Sequence, residues 1–261
     1  MKIKRLLSTV ACVLASVAVL LSAALLKGCS EGSAVSREYR QGFEKTYQKF
    51  LEEQQLLSSD YPDELLALLQ RNPETEDFVL NYPLLKDAKT EIDISDCKDS
   101  ATVPYFKQWD KRWGYKMYGS NVMGLTGCGP TCLSMVAVYL LNDTSLSPAY
   151  IADFSQKNGF CVEGSGSSWQ LMSVGAKRLG LKSEELPLHE GTVKKRLEKG
   201  QPIICAMGQG DFTSTGHFIV LTAYSDGKLK VLDPSSQAKT DRLWDYKAVE
   251  PQIRNLWAFS V

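Results

Sequence analysis

The sequence predicts an α+β fold, a helical half followed by an antiparallel β-rich half, preceded by an N-terminal transmembrane helix and a helical stalk. Three observations carry this. Apolar residues recur at helical spacing in several segments before Gly200, whereas 202–207, 217–224, 228–232 and 256–261 have strand composition. Ser225-Asp226-Gly227 supplies a hairpin turn between two of those strands. Leu6 to Leu26 run for 21 residues without a charge behind Lys2, Lys4 and Arg5. Helices first and antiparallel strands after define the α+β class.

At about 1.5 Å per residue the apolar run spans about 31 Å, close to the hydrocarbon thickness of a bilayer. Its length favours an uncleaved anchor over a signal peptide, whose apolar region is about 7 to 15 residues. Leu26-Lys27-Gly28-Cys29 is similar to a bacterial lipobox at its first, third and fourth positions, with Lys27 where a small residue belongs. Secretion and lipid anchoring are therefore the alternatives to a single-pass cell-membrane protein. In each case the basic flank stays inside and the chain beyond about residue 30 is extracytoplasmic.

Ser30 to Ser36 form a small polar linker, and Arg37 to Leu57 carries Tyr39, Phe43, Tyr47, Phe50 and Leu51 at helical spacing. Asp60-Tyr61-Pro62-Asp63 starts a helix over 64–69 that Asn72-Pro73 closes, and a short helix covers Pro73 to Asn81. The charged stretch Lys86 to Ser100 is a connector. The organisation is thus 1–29 anchor or signal segment, 30–100 helical stalk and connector, and 101–261 a single domain. Within the last come a strand-like Val103 to Phe106, a Gly-rich loop, and helices over Pro130 to Leu141, Ser168 to Leu179 and Thr192 to Lys199.

Thirty basic residues balance thirty acidic ones in the 261-residue chain, so no net field favours nucleic acid. Chemistry must be sought in a site. A thiol attacks as thiolate, and a helix N-terminus with a neighbouring imidazolium favours that form. Cys128 meets this description, with Gly127 and Gly129 permitting a tight turn, Pro130 at the first helical position, and an apolar helix behind. A buried thiol in a turn is the plain alternative. Cys132, one turn further in, reads as a structural thiol, Cys205 as a buried strand residue, and Cys161 lacks a helix start.

Only two histidines are present. His189 reads as a surface residue before a helix. His217 opens the strongest strand, Gly216 to Leu221, where an imidazole is held rigidly enough to act as a base. Asp233 ends the next strand, and the hairpin between them leaves room for the two to meet. Asp-Pro is also a common turn opener. Gln108 is the candidate side-chain donor to an oxyanion, with the Cys128 backbone amide as second donor, and a solvated loop glutamine is its alternative. Trp109, Trp113, Tyr115, Tyr118 and Trp169 are candidates for cleft walls, core packing being the alternative for at least half.

The order Gln108, Cys128, His217, Asp233 resembles the papain-like cysteine peptidases. The motifs VPYFKQWDKRWGYKMYG, GCGPTCLSMV, GSSWQLMSVGAKRLGL and GHFIVLTAYSDGKLKVLDP are similar to the bacteriocin-leader peptidase family numbered thirty-nine and its non-transporter relatives. The resemblance covers Val103 to Val261. It implies a papain-like fold and thiol-dependent peptide-bond hydrolysis, with Cys128 as nucleophile, His217 as base, Asp233 as orienting carboxylate and Gln108 in the oxyanion role. The spacing of 20 from Gln108 to Cys128 exceeds that in transporter-borne members, and no transporter or ATP-binding portion is present.

The expected partners are a peptide or protein substrate and the membrane, with no nucleic acid, no cofactor and no metal. Cys128-x3-Cys132 lacks a second ligand pair at finger spacing. The five cysteines beyond residue 30 are an odd number, implying a free thiol in an oxidising compartment. Two other functions use the same residues: a catalytically silent binding module of the same fold, and a transpeptidase or wall-peptide hydrolase.

Overall fold

The structure, a computed structural model, describes residues 42, 44–52 and 58–261. The chain divides into two compact units, Met1–Leu56 and Leu57–Val261. In the first, residues 44–52 are helical with Tyr47 and Leu51 buried and Glu44, Lys45 and Lys49 exposed, the amphipathic pattern of the expected stalk helix. The expected transmembrane segment 6–26 and Cys29 lie outside the described residues. Among the described residues no helix is long and apolar enough to cross a membrane.

The second unit runs from Leu57 to Val261, and within it residues 72–99 are hydrogen-bonded to residues beyond 100. Helix α1 (Asp63–Arg71) buries Leu65, Leu68 and Leu69 along one face, with Asp63 and Glu64 in its first turn and Arg71 in its last, as the helix dipole favours. Helix α2 (Glu76–Leu80) buries Phe78, whose ring stacks on Tyr115 with centroids 4.6 Å apart. The Tyr115 hydroxyl donates to Phe78 O at 2.8 Å, and Tyr61 to Leu80 O at 2.8 Å. These contacts tie the segment to the rest of the second unit.

Helix α3 (Cys128–Leu141) is buried without interruption from Gly129 to Val138. Such an all-round apolar helix belongs in a core. Each fully buried Leu, Val or Met contributes about 1.5–3 kcal/mol. Asn142, at φ 51°, closes the helix in the left-handed conformation that asparagine tolerates. Helix α4 (Pro148–Lys157) packs beside it, its Ser147 cap accepting from Tyr150 N.

Two short antiparallel hairpins precede the main sheet: β1 (Met117–Tyr118) with β2 (Asn121–Val122), and β3 (Cys161–Val162) with β4 (Gly166–Ser167). The other strands are β5 (Lys182–Glu185), β6 (Ile203–Met207), β7 (His217–Ser225), β8 (Lys228–Leu232), β9 (Leu243–Asp245) and β10 (Ile253–Ser260). They form one antiparallel sheet in the order β5-β10-β6-β7-β8-β9. Side chains alternate between its faces. Ile204, Ala206, Val220 and Leu232 join the cluster around α3, while Ile203, Cys205, Ile219, Leu221 and Val231 join one with Val193, Leu197 and Trp244. Val193 and Leu197 belong to helix α5 (Glu190–Leu197). The α+β class with an antiparallel sheet is as the sequence predicts.

Residues 103–106 do not pair as a strand. Pro104 lacks a donor, and the segment is held instead by Tyr105 and Gln108 bonding outward to residues 233 and 234. The helix expected over Ser168 to Leu179 starts as a π-helical turn, Leu171–Gly175, before Ala176–Arg178. Gly175 there lies against Phe160, where a Cβ would be 3.2 Å from the ring.

Candidate active site

Strand β7 carries His217 at its first position, paired with Met207, the last residue of β6. Asp226 at φ 50° and Gly227 at φ 76° form the two-residue turn to β8, the conformation of a type I′ hairpin. The turn sets the pairs from Ser225 opposite Lys228 to Ala223 opposite Lys230, and a bulge at Thr222 then brings Val220 opposite Leu232, so that Asp233 leaves β8 close to the start of β7. His217 Nε2 lies 2.7 Å from Asp233 Oδ1, and both side chains are almost wholly buried.

Asp233 is itself tightly held. Oδ1 also accepts from Ser235 N at 2.8 Å, an Asx turn of the kind Asp-Pro sequences make. Its backbone N donates to Thr240 Oγ1 at 2.9 Å, and its carbonyl accepts from the Tyr105 hydroxyl at 2.8 Å. Burial pushes the Tyr105 hydroxyl up, keeping it a donor. Oδ2 is buried without a hydrogen bond, with Lys239 Nζ at 3.9 Å.

Cys128 stands at the N-terminus of α3, and its sulfur borders the same cleft as the His217 ring, near enough to act on the ring's charge. With Nε2 taken by Asp233, the ring offers Nδ1 to the sulfur. Burial favours the neutral imidazole, but the Asp233 charge and hydrogen bond, together with the Cys128 sulfur, outweigh it and raise His217 to about 10. The imidazolium is thus the form this site favours at neutral pH. Gly129 is needed because β4 crosses the helix start, where a Cβ would lie 2.7 Å from Ser167 Cβ. Ser167 is hydrogen-bonded at 2.6 Å to the buried Tyr118 hydroxyl.

Cys128 and His217 open on a cleft of about 680 Å³ whose walls include Leu125, Ser165, Trp169, Gln209 and Arg254. The model of the Peptidase_C39 like family matches residues 100–258. The chain belongs to the Peptidase_C39 like family. Two solved structures are similar to it in part. The peptidase domain of Streptococcus ComA, a bifunctional ABC transporter involved in a quorum sensing pathway, has 18% identity and a TM-score of 0.40, over 52% of this chain and 91% of that one. A C39-like peptidase from Bacillus anthracis has 14% identity and a TM-score of 0.43, over 64% of this chain and 96% of that one. No curated protein matches the chain.

Gln108, the expected oxyanion donor of the C39-like domain, is 4% exposed and is not itself a lining residue, its side chain lying against Gly124 just ahead of the lining residues Leu125, Thr126 and Cys128. Its Nε2 donates to Gly124 O at 2.9 Å, and Oε1 is buried with no hydrogen-bond partner. A carbonyl can only accept, so the amide must keep nitrogen toward Gly124, and one Nε2 proton remains unused. Of the five aromatic candidates Trp169 alone lines the cleft, 48% exposed, with its edge on Trp257. Trp113, Tyr115 and Tyr118 are core residues, and Trp109 Nε1 donates to Ser235 O at 3.0 Å.

The remaining cysteines of the C39-like domain are free thiols. Cys132 is buried, donates to Phe218 O at 3.3 Å and is raised well above its usual range by burial, as is Cys205 on β6. Burial also raises the half-buried Cys161. His189 is exposed ahead of α5. Among the described residues no cluster of His, Cys, Asp and Glu is arranged to hold a metal ion. Sequence reasoning missed Tyr105, Thr240 and Ser235 as supports of Asp233. The signal available was the pair of serines after Asp233-Pro234, which invites an Asx turn.

Proposed function

We propose that this chain is a thiol peptidase that hydrolyses peptide bonds through Cys128, His217 and Asp233. The observation that carries the reading is the buried His217–Asp233 pair sharing one cleft with Cys128 at a helix start, in a member of the Peptidase_C39 like family. In this mechanism the Cys128 thiolate attacks the scissile carbonyl while the His217 imidazolium supplies the proton to the leaving amine. The resulting thioester is then hydrolysed by water that His217 activates. Asp233 holds the ring through Nε2, leaving Nδ1 for this proton traffic. The Cys128 backbone amide and the unused proton of Gln108 Nε2 are the donors to the oxyanion.

The substrate in this reading is a peptide or protein met outside the cytoplasm, with the apolar segment 6–26 as a single membrane anchor. Protease accessibility of residues 58–261 in intact cells tests that placement. The chemistry is tested by incubating the full chain and its Cys128→Ala variant with a diverse peptide library and reading products by mass spectrometry. Cleavage by the unaltered chain alone is expected. Equal products from both would refute the assignment of Cys128.

A further inference from the structure

The loop after β8 is gripped from outside the family-matched region. Residues 100–258 carry the match, yet Asn72 and Glu74 bind the two residues after Asp233-Pro234. Asn72 Nδ2 donates to Ser235 O at 2.6 Å, joining Trp109 on the same carbonyl. Glu74 Oε1 accepts from Ser236 Oγ at 2.5 Å and from Ala238 N at 3.4 Å, and Oε2 accepts from Gln237 N at 2.6 Å. Hydrogen bonds to an ionised carboxylate are shorter and roughly twice as strong as neutral ones. Glu74 is in turn oriented by Asn72, whose Oδ1 accepts from Glu74 N at 3.3 Å.

The same segment reaches the other side of the site. The Phe78 ring lies so close to Gly114 and Gly124 that neither can carry a Cβ. Gly124 O is the acceptor for Gln108. Residues 72–78 therefore touch both the loop bearing Asp233 and the backbone that seats Gln108, while none of them lines the cleft.

We infer that Glu74, with Asn72, is a positioning residue for Asp233, so that a segment upstream of the family-matched region sets the orientation of the His217 ring. The inference rests on Asp233 being the residue that orients His217. Its logic is mechanical: Asp233 Oδ1 must lie within 2.7 Å of Nε2, and it hangs from a loop whose Ser235 and Ser236 are anchored by Asn72 and Glu74. Glu74 is not among the main groups acting on His217, and Ser236→Ala, which leaves the Glu74 charge in place, separates an effect through the loop from one of charge alone.

The test is the titration of the His217 ring by NMR in the full chain with ring-labelled histidine, where only two histidines must be distinguished. Glu74→Gln is expected to lower the midpoint from about 10 by about one pH unit or more, a roughly tenfold loss of preference for the imidazolium. Ser236→Ala, which removes one donor only, is expected to shift it less and in the same direction, and serves alone if Glu74→Gln does not fold. A role confined to stability lowers the unfolding temperature and leaves the His217 midpoint where it was. That outcome in folded Glu74→Gln, or in Ser236→Ala alone, overturns the inference. Asp233→Asn separates the two readings: if it leaves His217 unchanged, the assignment of Asp233 fails before Glu74 is reached.

Discussion

His217 Nε2 and Asp233 Oδ1 meet at 2.7 Å from the two strands of one hairpin, both buried. His217 is raised to about 10 in the folded chain from an ordinary 6.5, so the folded state holds the proton more tightly than the unfolded one. Stability from this group is fully present below about pH 6.5 and is lost as pH rises toward about 10, by up to about 1.4 kcal/mol per unit. Chemical denaturation on a Cys128→Ala background, which keeps the Asp233 contributions and removes those of Cys128, is expected to show the decline over a narrower pH range. Asp233→Asn on the same background is expected to flatten it, since burial then disfavours the imidazolium. A slope unaffected by Asp233→Asn counts against the pairing as the source.

The hairpin contact was legible because its main steps are local. Asp226-Gly227 specifies the turn and the turn specifies the first pairs of the hairpin, while the bulge at Thr222, which the sequence does not announce, completes the register that brings residue 233 beside residue 217. The Gly-Cys-Gly-Pro start of α3 was legible for the same reason. What stayed hidden depends on long-range packing. Nothing near Glu74 announces a partner 163 residues away, so 58–100 read as stalk and connector although it packs within the second unit. The π-helical turn at Leu171–Gly175 is similarly a response to packing against Phe160, which periodicity does not report.

Gly129 carries a second consequence of close packing. A methyl group there would meet Ser167 Cβ at 2.7 Å, and Ser167 is tied to Tyr118 on the inner side of the β3-β4 hairpin. Gly129→Ala is expected to cost about 1–3 kcal/mol, the range of overpacking in a filled interior. Combining it with Ser167→Gly is expected to recover part of that loss, because the obstructing atoms are gone. Urea denaturation of the two single variants and the double variant measures the coupling.

Trp169 is the large aromatic surface left open in the cleft. Its contact with Trp257 is edge-on at 5.8 Å, so Trp169→Ala is expected to lower stability by about 1 kcal/mol or less. Its effect on peptide hydrolysis is expected to be larger, about tenfold in kcat/KM and mainly through KM, as loss of uniform binding predicts. Steady-state kinetics on one cleaved peptide decide this, and an unchanged kcat/KM rejects Trp169 as a substrate contact.

Gln108 divides a structural role from a chemical one. Its Nε2 bond to Gly124 O braces the chain just ahead of α3, and losing a buried bond of this kind costs about 1–3 kcal/mol of stability. Donation to an oxyanion adds something that bracing does not, because it is made only in the transition state. Gln108→Ala is therefore expected to lower kcat by about 10²–10³ with KM nearly unchanged. Alkylation of Cys128 by a small haloacetamide forms no oxyanion, so its rate is expected to stay within about threefold of the unaltered chain. If alkylation falls in step with kcat, Gln108 acts by bracing the Cys128 helix, and the oxyanion role passes to backbone amides alone.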